Sequence, residues 1–331
     1  MMMKNIARYL TRTAIFSVLF VLNACQHIPL KDPSDGLYIV FDFVFVDGEG
    51  ENAPASKSSI TDIVSVMHVL LYERESHRFV QEAYLPPEGG HVDIAPGYYD
   101  LIAFGEGSEV VRTSGLSSRG DAYAYCESLG MSVKMSKTSE DGSAVQNISF
   151  PLINEPDGFV VATSENVNVP DTGQGGSQTV RIEMKVFPLV SEWTFEAVDV
   201  TGVEHIRSMN CYVTGQVPGR FMWDSHIGQD LCAIGFDVRY DEEQAVLRGK
   251  FNTFGKHPQA LSNVFLNVMV QNSSGGLFQW IFDVSEQFDN PDNTDHLLRV
   301  SSAIVVPAAE GGGYTSEVDD WSAEIVTVPL N

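Results

Sequence analysis

The stretch TVRIEMKVFPL, residues 179–189, alternates polar and apolar side chains with a period of two. Three charged residues alternate with four apolar ones: Arg181, Glu183 and Lys185 with Val180, Ile182, Met184 and Val186. Successive side chains of a β-strand point to opposite faces of the sheet, so the pattern predicts a strand with one solvated and one packed face. The same period recurs along most of the chain from residue 34 to residue 330, which predicts an all-β protein.

The first half of the chain carries further strand-like segments separated by turn residues. LYIVFDFVFVD (37–47) is aromatic and β-branched, and VMHVLLYE, which ends the segment 60–73, favours a strand over a helix. Pro96 and Gly97 predict a turn between two more strands. The polar stretch 117–147 is expected to be mainly loop, with a short helix around Ala122–Leu129.

The second half repeats this scheme at the short, regular spacing of a β-sandwich. Its strand-like segments are EWTFEAVDV (192–200), IRSMNCYVTG (206–215), LCAIGFDVRYD (231–241), AVLRGKFNTFG (245–255), NVFLNVMVQN (263–272), GLFQWIFDVSEQF (276–288) and LLRVSSAIVVP (297–307). The pattern restarts at Phe187-Pro188, where the proline cannot donate to a central ladder. We therefore predict two tandem β-sandwich domains, 37–187 and 188–307, followed by a glycine-rich tail, 308–331.

The N-terminus has the layout of a bacterial export signal. Basic residues and no acid precede Asp32, and the apolar run Ala14–Leu22, about half of what a membrane span needs, ends just before Ala24-Cys25. This pattern resembles a lipoprotein lipobox, in which the cysteine is acylated and becomes the first residue. We expect residues 1–24 to be removed and residues 25–36 to form a lipidated N-terminus and linker. The alternative is an ordinary secretion signal with a chance cysteine at position 25.

The net charge and the cysteine content limit which partners and which cross-links the protein can have. The chain has 44 Asp and Glu residues but only 20 Lys and Arg residues, which gives a net charge of −24. Because this charge repels phosphate backbones, nucleic acid is excluded as a partner. Besides Cys25, the cysteines are Cys126, Cys211 and Cys232. Cys211 and Cys232 lie on neighbouring strand-like segments and are a candidate disulfide, although buried free thiols are the preferred alternative.

No segment matches a catalytic or cofactor-binding motif, and the eight histidines lack metal-ligand spacing. The sequence therefore predicts neither an enzyme nor a cofactor.

Two acidic loops and two other features are candidate binding sites. Asp289, Asp292 and Asp295 in DNPDNTD (289–295), and the acids of DGEGEN (47–52), are weak calcium candidates, with solvated turns as the favoured alternative. RGD, residues 119–121, matches an integrin-binding tripeptide, which three residues often do by chance. The four tryptophans suit either a carbohydrate platform or the core, and the core is favoured; Phe278 and Trp280 are expected on one face of a strand.

Several of these stretches resemble a known family. In the second half the similarity is carried by AVDVTGVEHIRSMNCYVTGQVPGRF (197–221), LRGKFNTFGKHP (247–258), GGLFQWIFDVSEQFDNP (275–291) and IVVP (304–307), and in the first half by LYIVFDF (37–43) and PGYYDLIAFGEG (96–107). Together they resemble an uncharacterised lipoprotein domain of gut Bacteroidales, which is similar to the fimbrillin-type anchor and accessory subunits of type V pili. The resemblance implies two transthyretin-like, Greek-key sandwiches whose subunits join by donating a strand.

The resemblance also implies a function and partners. It suggests an outer-membrane lipoprotein on the cell surface, non-enzymatic, acting as a fimbrial anchor, accessory or adhesin subunit with a fimbrillin or another pilus subunit as partner. The tail strand after EGGG is the candidate for donation, through Trp321, Ile325, Val326, Val328 and Leu330; the alternative is a strand paired within its own domain. A stand-alone lipoprotein that binds a host protein or glycan remains the rival function.

Overall fold

The computed structural model describes residues 37–46, 64–138, 145–171, 178–258, 264–301, 304–308 and 321–327. Regular structure in these residues is almost entirely β-strand. The exceptions are 3-10 helices at Arg119–Asp121 and Val203–His205 and one short α-helix, Ser285–Asp289. The predicted all-β sandwich fold is therefore confirmed. No helix within the described ranges is long and apolar enough to cross a membrane.

Twenty-three strands make up the described chain. The first eleven are β1 (Leu37–Phe45), β2 (Val66–Glu73), β3 (Phe79–Leu85), β4 (Gly90–Asp93), β5 (Gly97–Glu106), β6 (Arg112–Ser114), β7 (Tyr123–Tyr125), β8 (Ser128–Thr138), β9 (Val145–Ile153), β10 (Val160–Val169) and β11 (Gln178–Pro188). The others are β12 (Ser191–Ala197), β13 (Val200–Thr201), β14 (Ile206–Gln216), β15 (Gly219–Phe221), β16 (Cys232–Phe236), β17 (Val238–Asp241), β18 (Val246–Thr253), β19 (Phe265–Asn272), β20 (Leu277–Asp283), β21 (Leu297–Val300), β22 (Ile304–Val305) and β23 (Trp321–Thr327). Each of the seven segments predicted in the second half contains at least one strand.

The first large sheet has seven strands in the order β3-β2-β5-β10-β11-β1-β4. Strand β11 contains the alternating stretch, and its pattern is confirmed, because Met184 and Val186 are buried whereas the three charged side chains between the apolar ones are exposed. Strands β2 and β5 are buried on both faces. Burial on both faces explains why these two strands have continuous apolar runs instead of alternation.

The second large sheet has the order β20-β19-β14-β16-β9-β8-β23 and combines strands from both halves of the chain. A four-stranded sheet, β17-β18-β12-β21, packs with it, and two smaller sheets have the orders β15-β7-β6 and β13-β22. Strand β9 runs parallel to β16, and β7 runs antiparallel to β15. The segment β6–β9 therefore leaves the first sheet after β5 and pairs with the second half before the chain returns at β10.

This pairing affects two predictions. The short helix expected around Ala122–Leu129 and the loop expected over most of 117–147 are both wrong, because β7, all of β8 and the start of β9 lie in this stretch. Within β8 the sequence MSVKM alternates, with Val133 and Met135 fully buried and Lys134 exposed, a strand pattern that the polar surroundings concealed. Backbone hydrogen bonds also join residues before the boundary predicted at Phe187-Pro188 to residues after it, as between β7 and β15 and between β9 and β16. The division into the domains 37–187 and 188–307 remains a prediction.

One large hydrophobic cluster connects the two halves. Leu70 and Phe104 of the first sheet are buried in the same cluster as Phe195 and Phe251 of the four-stranded sheet. A second cluster lies on the opposite face of the first sheet and includes Phe41. Phe278 and Trp280, predicted to point the same way, are both buried in the large cluster, which confirms that prediction.

Candidate functional site

The C-terminal strand β23 lies at one edge of the second large sheet and pairs antiparallel with β8. In this register Ile325 is opposite Val133, and Val326 is opposite Ser132. The strand is thus paired within its own chain, which was the alternative to strand donation. Val328 and Leu330 lie outside the described residues. An edge strand is attached by one ladder only, so its replacement by another strand would break fewer hydrogen bonds than the removal of a central strand.

The surface that β23 pairs with is a strand anchored in an apolar cluster. Val133 and Met135 of β8 are fully buried together with Phe150 of β9 and Phe265 of β19. Because β8 is held from its other side by an antiparallel ladder to β9, it presents a regular edge to β23. The arrangement suits recognition of a strand, in which backbone hydrogen bonds supply affinity and alternate side-chain pockets supply specificity.

The cysteines do not form the candidate disulfide. Cys126, Cys211 and Cys232 are all free and buried. Cys211 of β14 is opposite Phe236, and Phe236 is four residues along β16 from Cys232. The Cα atoms of the two cysteines are therefore offset by about 13 Å along the strand direction. A disulfide needs Cα atoms within about 7 Å. Burial raises the pKa of the Cys126 thiol to about 12 and also raises that of Cys211, so these thiols stay protonated and inert. Cys25 lies outside the described residues.

The acidic loop 289–295 is arranged as a hydrogen-bonded turn. The Asp289 carboxylate accepts from Lys256 Nζ at 2.5 Å, and the Asn293 side chain bonds main-chain atoms of Gln287 and Leu297 at 3.0 Å. No group of three His, Cys, Asp or Glu side chains that could hold a metal ion occurs in the part of the chain that the structure describes. The structure therefore does not gather Asp289, Asp292 and Asp295 into a calcium site, and DGEGEN lies outside the described residues.

The arginine of the RGD tripeptide is used inside the fold. Arg119 forms an ion pair with Asp100, a β5 carboxylate that is 2% exposed, and its guanidinium lies 4.0 Å from the ring centroid of Trp223. Asp100 also accepts the main-chain N–H of Asn166 at 2.9 Å. Asn166 has φ of 57° within a bulge of β10. Because this arginine is committed to the buried pair, the tripeptide is not presented as a ligand.

The tryptophans do not form a shared platform. Trp280 is in the core, and Trp193 is 8% exposed between Phe288 and His296, whose ring centroids lie 4.1 and 4.7 Å away. Trp223 is half-buried beneath Arg119. The side chain of Trp321 is not described. The preferred core interpretation is therefore correct for Trp193 and Trp280.

A charged cluster on the four-stranded sheet was not anticipated from the sequence. Glu196 Oε2 accepts from Arg299 at 2.9 Å, and Glu196 Oε1 accepts from Arg248 Nε at 3.1 Å. The hydrogen bonds from Arg299 and then Arg248 hold the pKa of Glu196 below its ordinary value of 4.5. These three residues are up to 103 positions apart in the chain, so only a cross-strand pairing analysis would have brought them together.

We expect Glu196→Gln to flatten the acid side of the stability profile. A carboxyl whose pKa is lower in the folded state stabilises above its unfolded pKa and loses that stabilisation as the pH falls through the folded pKa. The free energy of unfolding of the wild type should therefore fall more steeply than that of Glu196→Gln below pH 4.5, in urea titrations at several pH values. Glu192→Gln is the control, since its partner Lys250 is 60% exposed; equal pH slopes for the wild type and Glu196→Gln would contradict the prediction.

Comparison with known proteins agrees with this architecture. Residues 56–237, more than half of the chain, match the family model described as a domain of unknown function, DUF5119. The chain belongs to the DUF5119 family. The DUF5119 match begins before β2 and ends after β16, so it spans both the boundary predicted at Phe187-Pro188 and the crossing segment β6–β9.

One curated protein is similar in sequence to this DUF5119 chain. "Putative fimbrium anchoring subunit Fim4B" from Bacteroides ovatus is 21% identical over 218 residues, which cover 62% of this chain and 56% of that protein. The match thus spans about half the length of the curated relative. The result confirms the resemblance that the sequence predicted.

Two solved structures are similar to the DUF5119 chain. A "putative adhesin" from Bacteroides ovatus is 16% identical with a TM-score of 0.59, covering 87% of this chain and 98% of that one. This likeness supports the fold over nearly the whole length of the adhesin. The fimbrial anchor protein Mfa2 from Porphyromonas gingivalis has 12% identity and a TM-score of 0.47, covering 70% of this chain and 76% of that one.

Proposed function

We propose that this DUF5119 protein is a non-enzymatic fimbrial subunit of the anchor, accessory or adhesin kind. The observation that carries the proposal is the position of β23, a terminal strand at a sheet edge, joined to the body through the glycine-containing stretch 309–320. The name of the curated relative, a fimbrium anchoring subunit, supports the same role. In this proposal the partner is a fimbrillin or another pilus subunit, and β23 exchanges between chains along β8.

The proposal includes a lipid anchor at Cys25. An acylated cysteine at the start of the mature chain would attach the protein to the outer membrane, because two or more acyl chains give lasting attachment. Retention of that tether suits an anchor or accessory subunit at the cell surface, whereas a shaft subunit has to be released from the membrane. The short linker 25–36 would then connect the lipid to β1.

The proposal is tested by purifying the tagged full-length protein from native outer membranes grown under pilus-producing conditions. We expect a ladder on unboiled gels that collapses on boiling, with a fimbrillin-type protein as the main companion, because strand-exchanged subunits separate only when their ladders unfold. Cys25→Ser is the control: it should remove the chain from the membrane fraction. A single band without a companion would overturn the pilus role.

Strand exchange has a separate test in the same preparation. The opposed positions 133 and 325 lie across one antiparallel ladder, where Cα atoms are about 4.5–5.5 Å apart, within disulfide range. In the double variant Val133→Cys, Ile325→Cys, an intrachain disulfide formed in the isolated monomer should lock β23 onto β8 and abolish the ladder until a reductant is added. A disulfide formed between exchanged chains should instead give a ladder that survives boiling without reductant, which would support exchange. The single variant Ile325→Cys should behave as the wild type. If the ladder formed equally well while the intrachain disulfide was intact, β23 exchange would be ruled out. The fimbrial role, which is tested by co-purification of a pilus subunit, would be unaffected.

A further inference from the structure

The face of the first sheet that contributes Leu70 and Phe104 to the large cluster also carries a row of three ring side chains that is open at one end. Tyr84 of edge strand β3 is directly opposite His68 of β2, and His68 is opposite Phe104 of β5. The Tyr84 and His68 rings stack with centroids 4.3 Å apart and planes at 20°, and the His68 and Phe104 centroids are 4.8 Å apart. His68 is 5% exposed whereas Tyr84 is 58% exposed, so the row ends in an accessible aromatic face.

His68 holds one carboxylate on each side of this row. Its Nε2 lies 3.0 Å from Glu82 Oε2, and its Nδ1 lies 2.9 Å from Glu106 Oε1. The two glutamates remain 49% and 43% exposed, and each uses one oxygen for this contact. The buried histidine thus positions two accessible carboxylates beside an accessible ring.

Glu106 also lines a cavity of about 360 Å³ where β5 meets the small sheet of β6 and β7. The residues that line the cavity include three with hydrogen-bond donors, Arg112, Thr113 and Tyr125, and a further acidic residue, Glu127. A ligand that fills this cavity therefore has to donate to carboxylates and accept from a guanidinium and hydroxyls. A few convergent polar groups beside an aromatic surface are typical of a small-molecule pocket.

We propose that Tyr84, Glu82, Glu106 and the adjoining cavity bind a neutral sugar unit of a glycan. The open Tyr84 ring can pack against the C–H face of a pyranose, while Glu82 and Glu106 accept hydrogen bonds from its hydroxyls. Arg112 and Tyr125 donate to the ring or hydroxyl oxygens of the sugar. His68 is a positioning residue, since it is buried beneath the carboxylates.

Charge separates a neutral sugar from other ligand classes. The three carboxylates and the net charge of −24 repel acidic sugars and phosphate groups. Hydroxyl groups both donate and accept, so a neutral sugar satisfies the mixed wall without leaving a buried polar group unpaired.

The test is saturation-transfer NMR on the mature chain, with the methyl glycosides of glucose, galactose, mannose and N-acetylglucosamine as probes. We expect transfer to at least one probe, with a dissociation constant of about 1 mM or tighter, as for a small site with few hydrogen bonds. Tyr84→Ala and Glu106→Gln should each weaken this binding about tenfold or more. Tyr84 is largely exposed, so its removal should leave the unfolding midpoint unchanged.

Tyr98→Ala is the matched control, because Tyr98 is 55% exposed and lines a different cavity on the same half of the protein. It should bind as the wild type does. His68→Gln should weaken binding and also release Glu82 and Glu106, detected as a shift of their side-chain carboxyl NMR signals. Absence of transfer to all four probes, retention of binding by Tyr84→Ala, or loss of binding by Tyr98→Ala would each overturn the proposal.

Discussion

Asp100→Ala is expected to lower the free energy of unfolding by about 3–5 kcal/mol, the loss typical when one partner of a buried ion pair is removed. The carboxylate is 2% exposed, and its removal leaves the Arg119 guanidinium, whose Nε already has no hydrogen-bond partner, as an uncompensated charge. It also removes the acceptor for the Asn166 N–H in the β10 bulge. Urea unfolding followed by circular dichroism measures the change.

Asp42→Ala is the matched control for this prediction. Asp42 also pairs with an arginine, Arg181 at 2.8 Å, but the two side chains are 40% and 69% exposed. Solvent screens such a pair, so its loss should cost less than about 1 kcal/mol. Adding Arg119→Met to Asp100→Ala should recover part of the stability, because it removes the unpaired charge. If both aspartate variants lost the same stability, the role given to the buried pair would be wrong.

Leu70→Ala should destabilise the second half of the chain although Leu70 lies in the first sheet. Leu70 is 1% exposed in the cluster that also contains Phe195 and Phe251, and truncation of a buried leucine costs about 2–5 kcal/mol. All four tryptophans follow the predicted boundary, at positions 193, 223, 280 and 321. Tryptophan fluorescence therefore reports mainly on the second half, although Trp223 also contacts Arg119 of the first half, and its urea midpoint should fall in the Leu70→Ala variant.

This measurement separates a shared core from two independent domains. With independent domains, circular dichroism would register the loss in the first sheet while the fluorescence midpoint stayed at the wild-type value. Val80→Ala is the control, since Val80 lies on the neighbouring strand β3 but is 47% exposed, and we expect a change within about 0.5 kcal/mol. An unchanged fluorescence midpoint in Leu70→Ala would contradict the shared core.

Local sequence patterns were sufficient to predict a strand wherever its polar and apolar residues alternate or turn residues bound it. The period-two stretch of β11, the aromatic run of β1 and the seven segments of the second half were all predicted as strands. The prediction failed for β7, β8 and the start of β9, where short alternating stretches are surrounded by serine, glycine and charged residues. In such segments pairing with distant strands outweighs local propensity.

The sites depend on contacts that sequence spacing does not encode. Glu106 and His68 are 38 positions apart, Arg119 and Asp100 are 19 apart, and Glu196 and Arg299 are 103 apart, yet each pair is in direct contact. The RGD tripeptide and the tryptophans are recognisable in the sequence. Only the contacts of Arg119 with Asp100 and of Trp193 with Phe288 show that these two side chains have structural roles.

The sequence by itself determined that the protein is an all-β chain with an acidic surface, because strand periodicity and charge are properties of neighbouring residues. Which strands pair was decided only in the tertiary structure: β6–β9 cross to the second half, and β23 lies on β8. The physical reason is that backbone hydrogen bonds are the same for every residue, so the choice of partner strand depends on how buried side chains fit across the whole core.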